Sequence, residues 1–445
     1  MQGAMRLLHT SDWHLGHVLH GMSREREHRE FLRWLLATLA QEQIDVLLIT
    51  GDIFDSATPP AVAETAWFDL LAEARRMRPY MDIIAIAGNH DSPSRLTAPS
   101  AILRRLGVHV VGQLPRLPRA DGGAIDPDRV LIPVANGRGL VAAVPFLRPL
   151  DLGPASDDAD GPAAVYREVA ALARARLSGE QAFIVTGHLY TAGADPSWLS
   201  ERRIAIGGQE ALAPGLFPED ASYVALGHLH RAQRVLAEHV RYAGAPIPLA
   251  VTEANYRHQV VVVEFEGRAV KQLRTLDIPR ATEILRVPRQ GAAPLTELLA
   301  LLAELPELGE RGEADPTRPF LEAVVALLRP EPRLRASVET ALEGKLPRLI
   351  KLTVEHTGDG ASLGDHRRGR QLAELAPTEV FESCWNRRYG DAPSQAIRGA
   401  FLRLLTEVQG VQGVQGVQGV QGVQEPRLAQ TERPAHAERP EPPRS

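Results

Sequence analysis

Five short clusters carry the residue types from which a divalent-metal centre is built: Asp12-Trp13-His14, Gly51-Asp52-Ile53-Phe54-Asp55, Gly88-Asn89-His90-Asp91, Gly187-His188 and Gly227-His228-Leu229-His230. Carboxylate, imidazole and amide oxygen together suit divalent Mn, Fe or Zn, and none of the clusters offers the thiolates of a structural zinc site. Two cations about 3.5–4 Å apart need a carboxylate that reaches both, plus separate ligands on each side. Asp52, in the middle of an otherwise symmetric ligand set, is the expected bridge. His228 and His230 are two residues apart, so on an extended loop their side chains diverge and can serve different metals.

Each cluster alone has a plainer reading. An isolated Asp-x-His or Gly-His usually caps a helix or lies on the surface, and Gly-Asp pairs are commonly turns. The conjunction decides the matter, because all five follow apolar runs. Loops at strand ends are where an α/β scaffold gathers side chains from distant parts of a chain. A glycine ahead of the ligand lets the chain turn sharply and leaves room for a metal or phosphate. Histidines outside the clusters, among them His9, His17, His28 and His258, are expected in the core or in solvent.

The elements that must position these clusters are legible from periodicity. Arg6–Thr10, Ile44–Thr50, Asp82–Ala87, Ala182–Thr186 and Tyr223–Leu226 read as buried strands, and Arg24–Gln43 and Ala61–Met77 carry helical spacing. The alternation makes the fold class α/β. Val130–Val134 and Gly139–Val144 flank the tight-turn signal Asn136-Gly137 and read as a hairpin, as do Gln259–Phe265 and Ala269–Leu276. After about Arg280 the texture becomes α+β, with strands expected at Ile284–Pro288, Phe320–Leu328 and Leu349–His356 and helices at Leu295–Leu305 and Arg333–Glu343. Leu372–Val408 reads as helical with a break at Tyr389–Pro393, and one side of it carries Phe381, Trp385, Phe401, Leu402, Leu404 and Leu405. Val-Gln-Gly repeats from Val408 to Gln424 and a Pro-rich end predict a disordered tail. The expected division is 1–280, 281–360, 361–407 and 408–445.

The 445 residues suffice for two or three domains, and 44% hydrophobic with 24% charged residues is ordinary for a soluble globular chain. No run approaches the roughly 20 apolar residues of a membrane span. Met1–Ser11 lacks the layout of a signal peptide, and Cys384, the single cysteine, cannot form an intramolecular disulfide, so a reducing cytoplasm is expected. A net charge of −5 argues against a protein that coats nucleic acid with an overall positive surface. A local groove stays open: Arg24, Arg26, Arg95, Arg148 and Arg231 flank the clusters, either to track a phosphate backbone or to form intramolecular ion pairs.

The order of the five clusters resembles that of the calcineurin-like metallophosphoesterases, which implies a sandwich of two mixed β-sheets flanked by helices. His9–Gly16, Gly51–Asp55, Gly88–Ser92, Pro145–Pro149, Ala225–Arg231 and Val240–Pro248 narrow the resemblance to the SbcD family of bacterial double-strand-break repair nucleases. It is close over residues 5–280 and looser to residue 407, through Glu379–Glu382 and Arg388–Gly390. The resemblance implies one metal held by Asp12, His14, Asp52 and His230 and a second by Asp52, Asn89, His188 and His228, with manganese as the expected ion. It implies His90 as the catalytic imidazole and Asp91 as its orienting partner. Asp55 stands where archaeal and eukaryotic relatives carry a second histidine.

The resemblance further implies 3′-to-5′ exonuclease action on duplex DNA ends and endonuclease action on single strands and hairpins. It implies a homodimer formed through Ala61–Met77 and Ser94–Leu106, joined to an SbcC-type coiled-coil ATPase as a heterotetramer at the nucleoid in the cytoplasm. No Gly-rich Lys-Ser/Thr phosphate loop occurs, so ATP hydrolysis falls to the partner. Residues 281–356 would cap the DNA groove. Residues 361–407, with Phe381, Trp385, Phe401 and Leu404, would dock on the ATPase, unless that stripe packs on its own domain. Two rivals remain: a calcineurin-like phosphatase or cyclic-nucleotide phosphodiesterase, which has no need of the regions after 280, and a non-catalytic DNA-end scaffold, which has no need of the ligands.

Overall fold

Strand β1 (Met5–Thr10) is apolar on both sides: Leu7 turns one way, Leu8 the other, and both are fully buried. A strand covered on both faces belongs inside a layered sheet. In the computed structural model, which describes residues 4–118, 123–152, 161–195, 212–310 and 312–356 with short pieces between 381 and 401, that is its position.

Helix α1 (Glu25–Gln41), β2 (Val46–Thr50), helix α2 (Ala61–Met77), β3 (Asp82–Ile86) and β4 (Val108–Val111) follow, and β1-β2-β3-β4 run parallel. Next come β5 (Leu131–Val134), β6 (Gly139–Ala142), helix α3 (Gly161–Arg176), β7 (Ala182–His188), β8 (Tyr223–Gly227), β9 (Gln233–Val235) and β10 (Ala237–Tyr242). Their strands make a second mixed sheet in the order β9-β10-β8-β7-β6-β5. The chain then returns to the first sheet, where β11 (Gln259–Glu266) pairs antiparallel with β1, and β12 (Ala269–Asp277) forms the edge.

The sheets face each other across a core in which Leu7, Leu48 and Ile84 meet Val141, Ile184 and Tyr223. On the outer face of the first sheet, α1 and α2 bury Phe31, Leu35, Trp67 and Leu70; on the second, α3 buries Val165, Tyr166 and Val169. The sandwich of two mixed sheets is thus present. Ser94–Leu106 departs from expectation. Instead of one helix it forms Pro93–Thr97, Ser100–Leu103 and a 3-10 turn to Leu106, because Pro99 interrupts the run.

A smaller layer follows: β13 (Ile284–Val287), β14 (Ala293–Pro294), helix α4 (Leu295–Ala303), β15 (Phe320–Leu327), helix α5 (Leu334–Ala341) and β16 (Arg348–His356). Central β15 is parallel to every partner, and α4 and α5 cover it through Leu298, Leu302 and Val338. The small sheet meets the sandwich where Ile284 and Phe320 pack with Leu19 and Val251. Two compact units are present, Met1–Gly358 and Asp359–Ser445. In the second, Phe381 stacks on Phe401 at 4.1 Å and lies 5.9 Å from Trp385; Leu402, Leu404, Leu405 and the repeat tail lie outside the described residues. No helix among the described residues is long and apolar enough to cross a membrane.

Candidate metal centre

Every predicted ligand lies at the C-terminal end of a parallel strand. Asp12 and His14 follow β1, Asp52 follows β2, Asn89 and His90 follow β3, His188 closes β7, and His228 and His230 follow β8. Both sheets therefore contribute, and the site lies on the seam between them. Backbone bonds lace the loops together, from Asp12 N–H to Gly51 O at 3.0 Å and from His14 N–H to Asp52 O at 3.0 Å. Asp12, His14, Asp52 and His228 hold φ values of 54°, 48°, 48° and 102°, a left-handed backbone that costs non-glycine residues of order 1–3 kcal/mol each. Gly88 is required by space alone: a Cβ there would lie 2.2 Å from Asp52 Oδ1.

The side chains converge as two groups, with a third, His14, Asp52 and His90, overlapping both. Donor atoms of Asp12, His14 and His230 lie within 4.8 Å of one another, as do those of Asp52, His188 and His228. Asp52 Oδ2 lies 3.5 Å from His14 Nε2 and 3.3 Å from His188 Nε2, so one carboxylate oxygen faces both groups. Asn89 Oδ1 sits 3.0 Å from His188 Nε2 and 3.2 Å from His228 Nδ1. Among the described residues, nothing hydrogen-bonds to the buried Asp12 Oδ2 and His14 Nε2. Buried polar atoms that no protein group satisfies are what a bound cation would engage, so the donor set fits a metal pair.

The electrostatics agree. Burial opposes ionisation of Asp52, yet His188, His14 and His90 hold its carboxyl well below the usual range. Burial alone would lower His188; the carboxylates of Asp52 and Asp12 outweigh it and lift the imidazole to about 9, the field of a cation site. His228 is pushed down to about 3 by burial and by its neighbour His188, which keeps its lone pair available. His14 is likewise lowered by burial.

Around these residues lies a shell that orients them. His14 Nδ1 donates to Asp55 at 3.2 Å, and Asp55 also takes His17 Nδ1 at 2.9 Å. His230 Nδ1 donates to the buried carboxylate of Glu253 at 2.8 Å, and His188 Nδ1 donates to Thr50 O at 2.8 Å. Sequence reasoning missed Glu253 and His17. The structure also corrects the role of Asp91. Its oxygens accept backbone N–H groups of Gly88, Phe54 and Ile53 at 2.8–3.2 Å, so it ties two loops together. His90 is oriented instead by its Nδ1–H, which donates to Asp55 O at 2.8 Å.

The flanking arginines divide. Arg24 is fully buried, ion-paired with Glu27 and donating to Pro248 O, so it cannot reach a DNA backbone. Arg148 donates to Gly88 O and Asp91 O, and Arg26 to Glu30, Thr282 and Ala281 O; both brace loops. Arg95 and Arg231 have side chains 47% and 53% exposed, in ion pairs with Glu64 and Asp195 that exposure makes weak.

Comparison with known proteins agrees with this geometry. Residues 5–232 match the calcineurin-like phosphoesterase family, and residues 280–389 match a family described as "Type 5 capsule protein repressor C-terminal domain". The SbcD component of the SbcCD nuclease of Rhodobacter capsulatus is 41% identical, over 79% of this chain and 87% of its own length. That of Escherichia coli K12 is 36% identical, over 66% and 73%. With its sandwich, its strand-end ligand stations and this similarity along most of its length, the chain belongs to the calcineurin-like phosphoesterases and, within them, to the SbcD family of nucleases.

Proposed function

We propose that the chain is the nuclease subunit of an SbcCD-type complex and hydrolyses DNA phosphodiesters with two divalent cations, manganese being the ion it uses. The observation that carries this reading is Asp52, one carboxylate oxygen of which lies within 3.5 Å of the imidazoles of both His14 and His188. One cation would be held by Asp12, His14, Asp52 and His230, the other by Asp52, Asn89, His188 and His228. Bound there, the cations would lower the pKa of a water to near neutrality and would neutralise charge on the phosphoryl oxygens.

The remaining work falls to the chain. The Asp55 carbonyl can only accept, so the His90 proton it engages is on Nδ1 and the reactive nitrogen is Nε2. Protonated, Nε2 stabilises developing charge or protonates the leaving 3′ oxygen, a contribution typically worth about 10²–10⁴-fold. His14 and His230 are each fixed in one tautomer by a carboxylate behind them. Arg95 and Arg231, exposed near the strand ends, contact the DNA backbone without reading its sequence.

The polarity and substrates are 3′-to-5′ on duplex ends, with endonucleolytic cleavage of single strands and hairpins. The partner is a coiled-coil ATPase bound through residues 361–407, in a heterotetramer with a second copy of this chain joined through α2 and residues 94–106, acting at the nucleoid in the cytoplasm. Residues 281–356 cap the DNA.

The test is manganese-dependent degradation of end-labelled linear duplex and hairpin DNA, with and without the ATPase, beside bis-p-nitrophenyl phosphate. Hydrolysis of the small ester with DNA left intact even in the complex would replace this reading with a small-molecule phosphodiesterase. Removing residues 365–407 is expected to abolish co-purification with the ATPase while small-ester hydrolysis persists.

A further inference from the structure

His230 is held by a group that nothing in the five clusters announces. Its Nδ1 lies 2.8 Å from Glu253 Oε1, and Glu253 is wholly buried. A carboxylate only accepts, so the ring donates through Nδ1 and its lone pair is on Nε2. The second oxygen, Glu253 Oε2, accepts the backbone N–H of Leu249 at 2.7 Å. Both oxygens are therefore committed to N–H donors, which a neutral glutamine amide, with one acceptor oxygen, could not match.

Leu249 is also tied to the neighbouring imidazole. Its carbonyl accepts from His17 Nε2 at 2.9 Å, and His17 Nδ1 lies 2.9 Å from the Asp55 oxygen that holds His14. His14 and His230, both assigned above to one metal, thus lean on the same residue, each through one carboxylate. The other metal's residues are braced differently: His188 donates to the carbonyl of Thr50 at the end of β2, and His228 meets Asn89.

The far side of this segment touches the small sheet. Val251 and Ala254, on either side of Glu253, pack with Ile284, Phe320 and Ile350. Arg24 donates to Pro248 O at 2.6 Å, and its guanidinium lies 5.5 Å from the centre of the Phe320 ring. Residues 248–254 are therefore a strut with the small parallel sheet on one side and two imidazoles on the other.

We propose that Glu253 is a positioning residue for His230, and that the strut it anchors makes one metal position, and not the other, depend on the seating of the small sheet. This rests on the two-metal reading given above.

The experiment is a manganese(II) chloride titration of the full chain, with free Mn²⁺ read by electron paramagnetic resonance and thermal melts of the metal-free proteins alongside. Wild type is expected to bind two ions. Glu253→Gln should weaken one position about 10–100-fold, the usual cost of losing an outer-shell partner, and leave the other within about twofold. Asn89→Ala marks the other position, so the double variant should lose both. Phe320→Leu should weaken the position affected by Glu253→Gln, by a smaller factor.

Equal weakening of both positions, or two unchanged constants in Glu253→Gln, overturns the proposal, whatever happens to the melting temperature. An unchanged first position in Phe320→Leu overturns the link to the small sheet. Should Glu253→Gln not fold, Glu253→Asp keeps the charge on a shorter arm and is held to the same comparison. A wild-type chain that binds no ion pair sinks the two-metal reading itself; a wild type that binds two with an indifferent Glu253 sinks only this inference.

Discussion

A carboxylate facing imidazoles on both sides has no substitute within its own loop. Asp52→Ala should therefore abolish binding of both cations, seen as loss of two equivalents in a metal titration, whereas Asn89→Ala should lose one. His90→Asn should keep both metals and DNA binding while turnover falls about 10²–10⁴-fold, the range of a positioned proton donor. A parallel loss of metal occupancy would assign His90 to binding instead. His9 makes a different prediction. Burial pushes its pKa down to about 3, while it is bonded to Tyr223 and Thr50. The unfolded chain takes up this proton below about pH 6.5 and the folded chain does not, so stability falls as pH drops from there toward about 3. Urea melts in EDTA should show His9→Asn losing about 2 kcal/mol less than wild type between pH 6.5 and 5. The ligand candidates were readable because their types and glycine context are rare in combination. Glu253 was not, since one glutamate in an Ala-Val-Thr-Glu-Ala run has no distinguishing spacing. Arg24 misled for the same reason: charge in a sequence does not say whether an ion partner three residues on will bury it.

At the scale of the element, the loops matter as much as the side chains they present. Gly88→Ala adds one methyl group where Asp52 Oδ1 already lies, so it should impair metal binding nearly as much as removing a ligand, with far-ultraviolet circular dichroism unchanged. Retained affinity would mean that the Gly-Asn-His-Asp loop relaxes more easily than its backbone bonds suggest. The buried strands were readable because they are short apolar runs that end in glycine or aspartate, and α2 emerged with its predicted bounds. Helix α3 carried a usable signal in Val165, Tyr166, Val169, Ala170 and Ala173, one face at helical spacing, and was overlooked. Strand β4 has four residues and follows a broken helix, which leaves too short a pattern to separate from a loop. The left-handed conformations of Asp12, His14, Asp52 and His228 had no signature, because tertiary bonds impose them against local preference.

For the whole molecule, the seam is the governing feature. On the proposed assignment a cation would be held by Asp12 or Asp52 from one sheet and by His188, His228 or His230 from the other, so its removal should loosen the sandwich as one body. Manganese at a hundredfold excess over its dissociation constant should stabilise the chain by about 2.7 kcal/mol per site, read as a higher melting temperature than in EDTA. Asp52→Ala should show no such rise. The two mixed sheets were expected from the family resemblance and not from periodicity, since strand order across a sandwich depends on pairings between distant parts of the chain. The pairing of β1 with β11 is the extreme case, with Met5 opposite Phe265. During synthesis, β1 leaves the ribosome with one edge unsatisfied, and at about 5–20 residues per second its neighbour follows on the order of 10 to 50 s later. Throughout that interval the nascent chain exposes an apolar strand that needs shelter from aggregation. For most of it the chain also cannot cut DNA, because the last imidazoles of its centre have not yet been made.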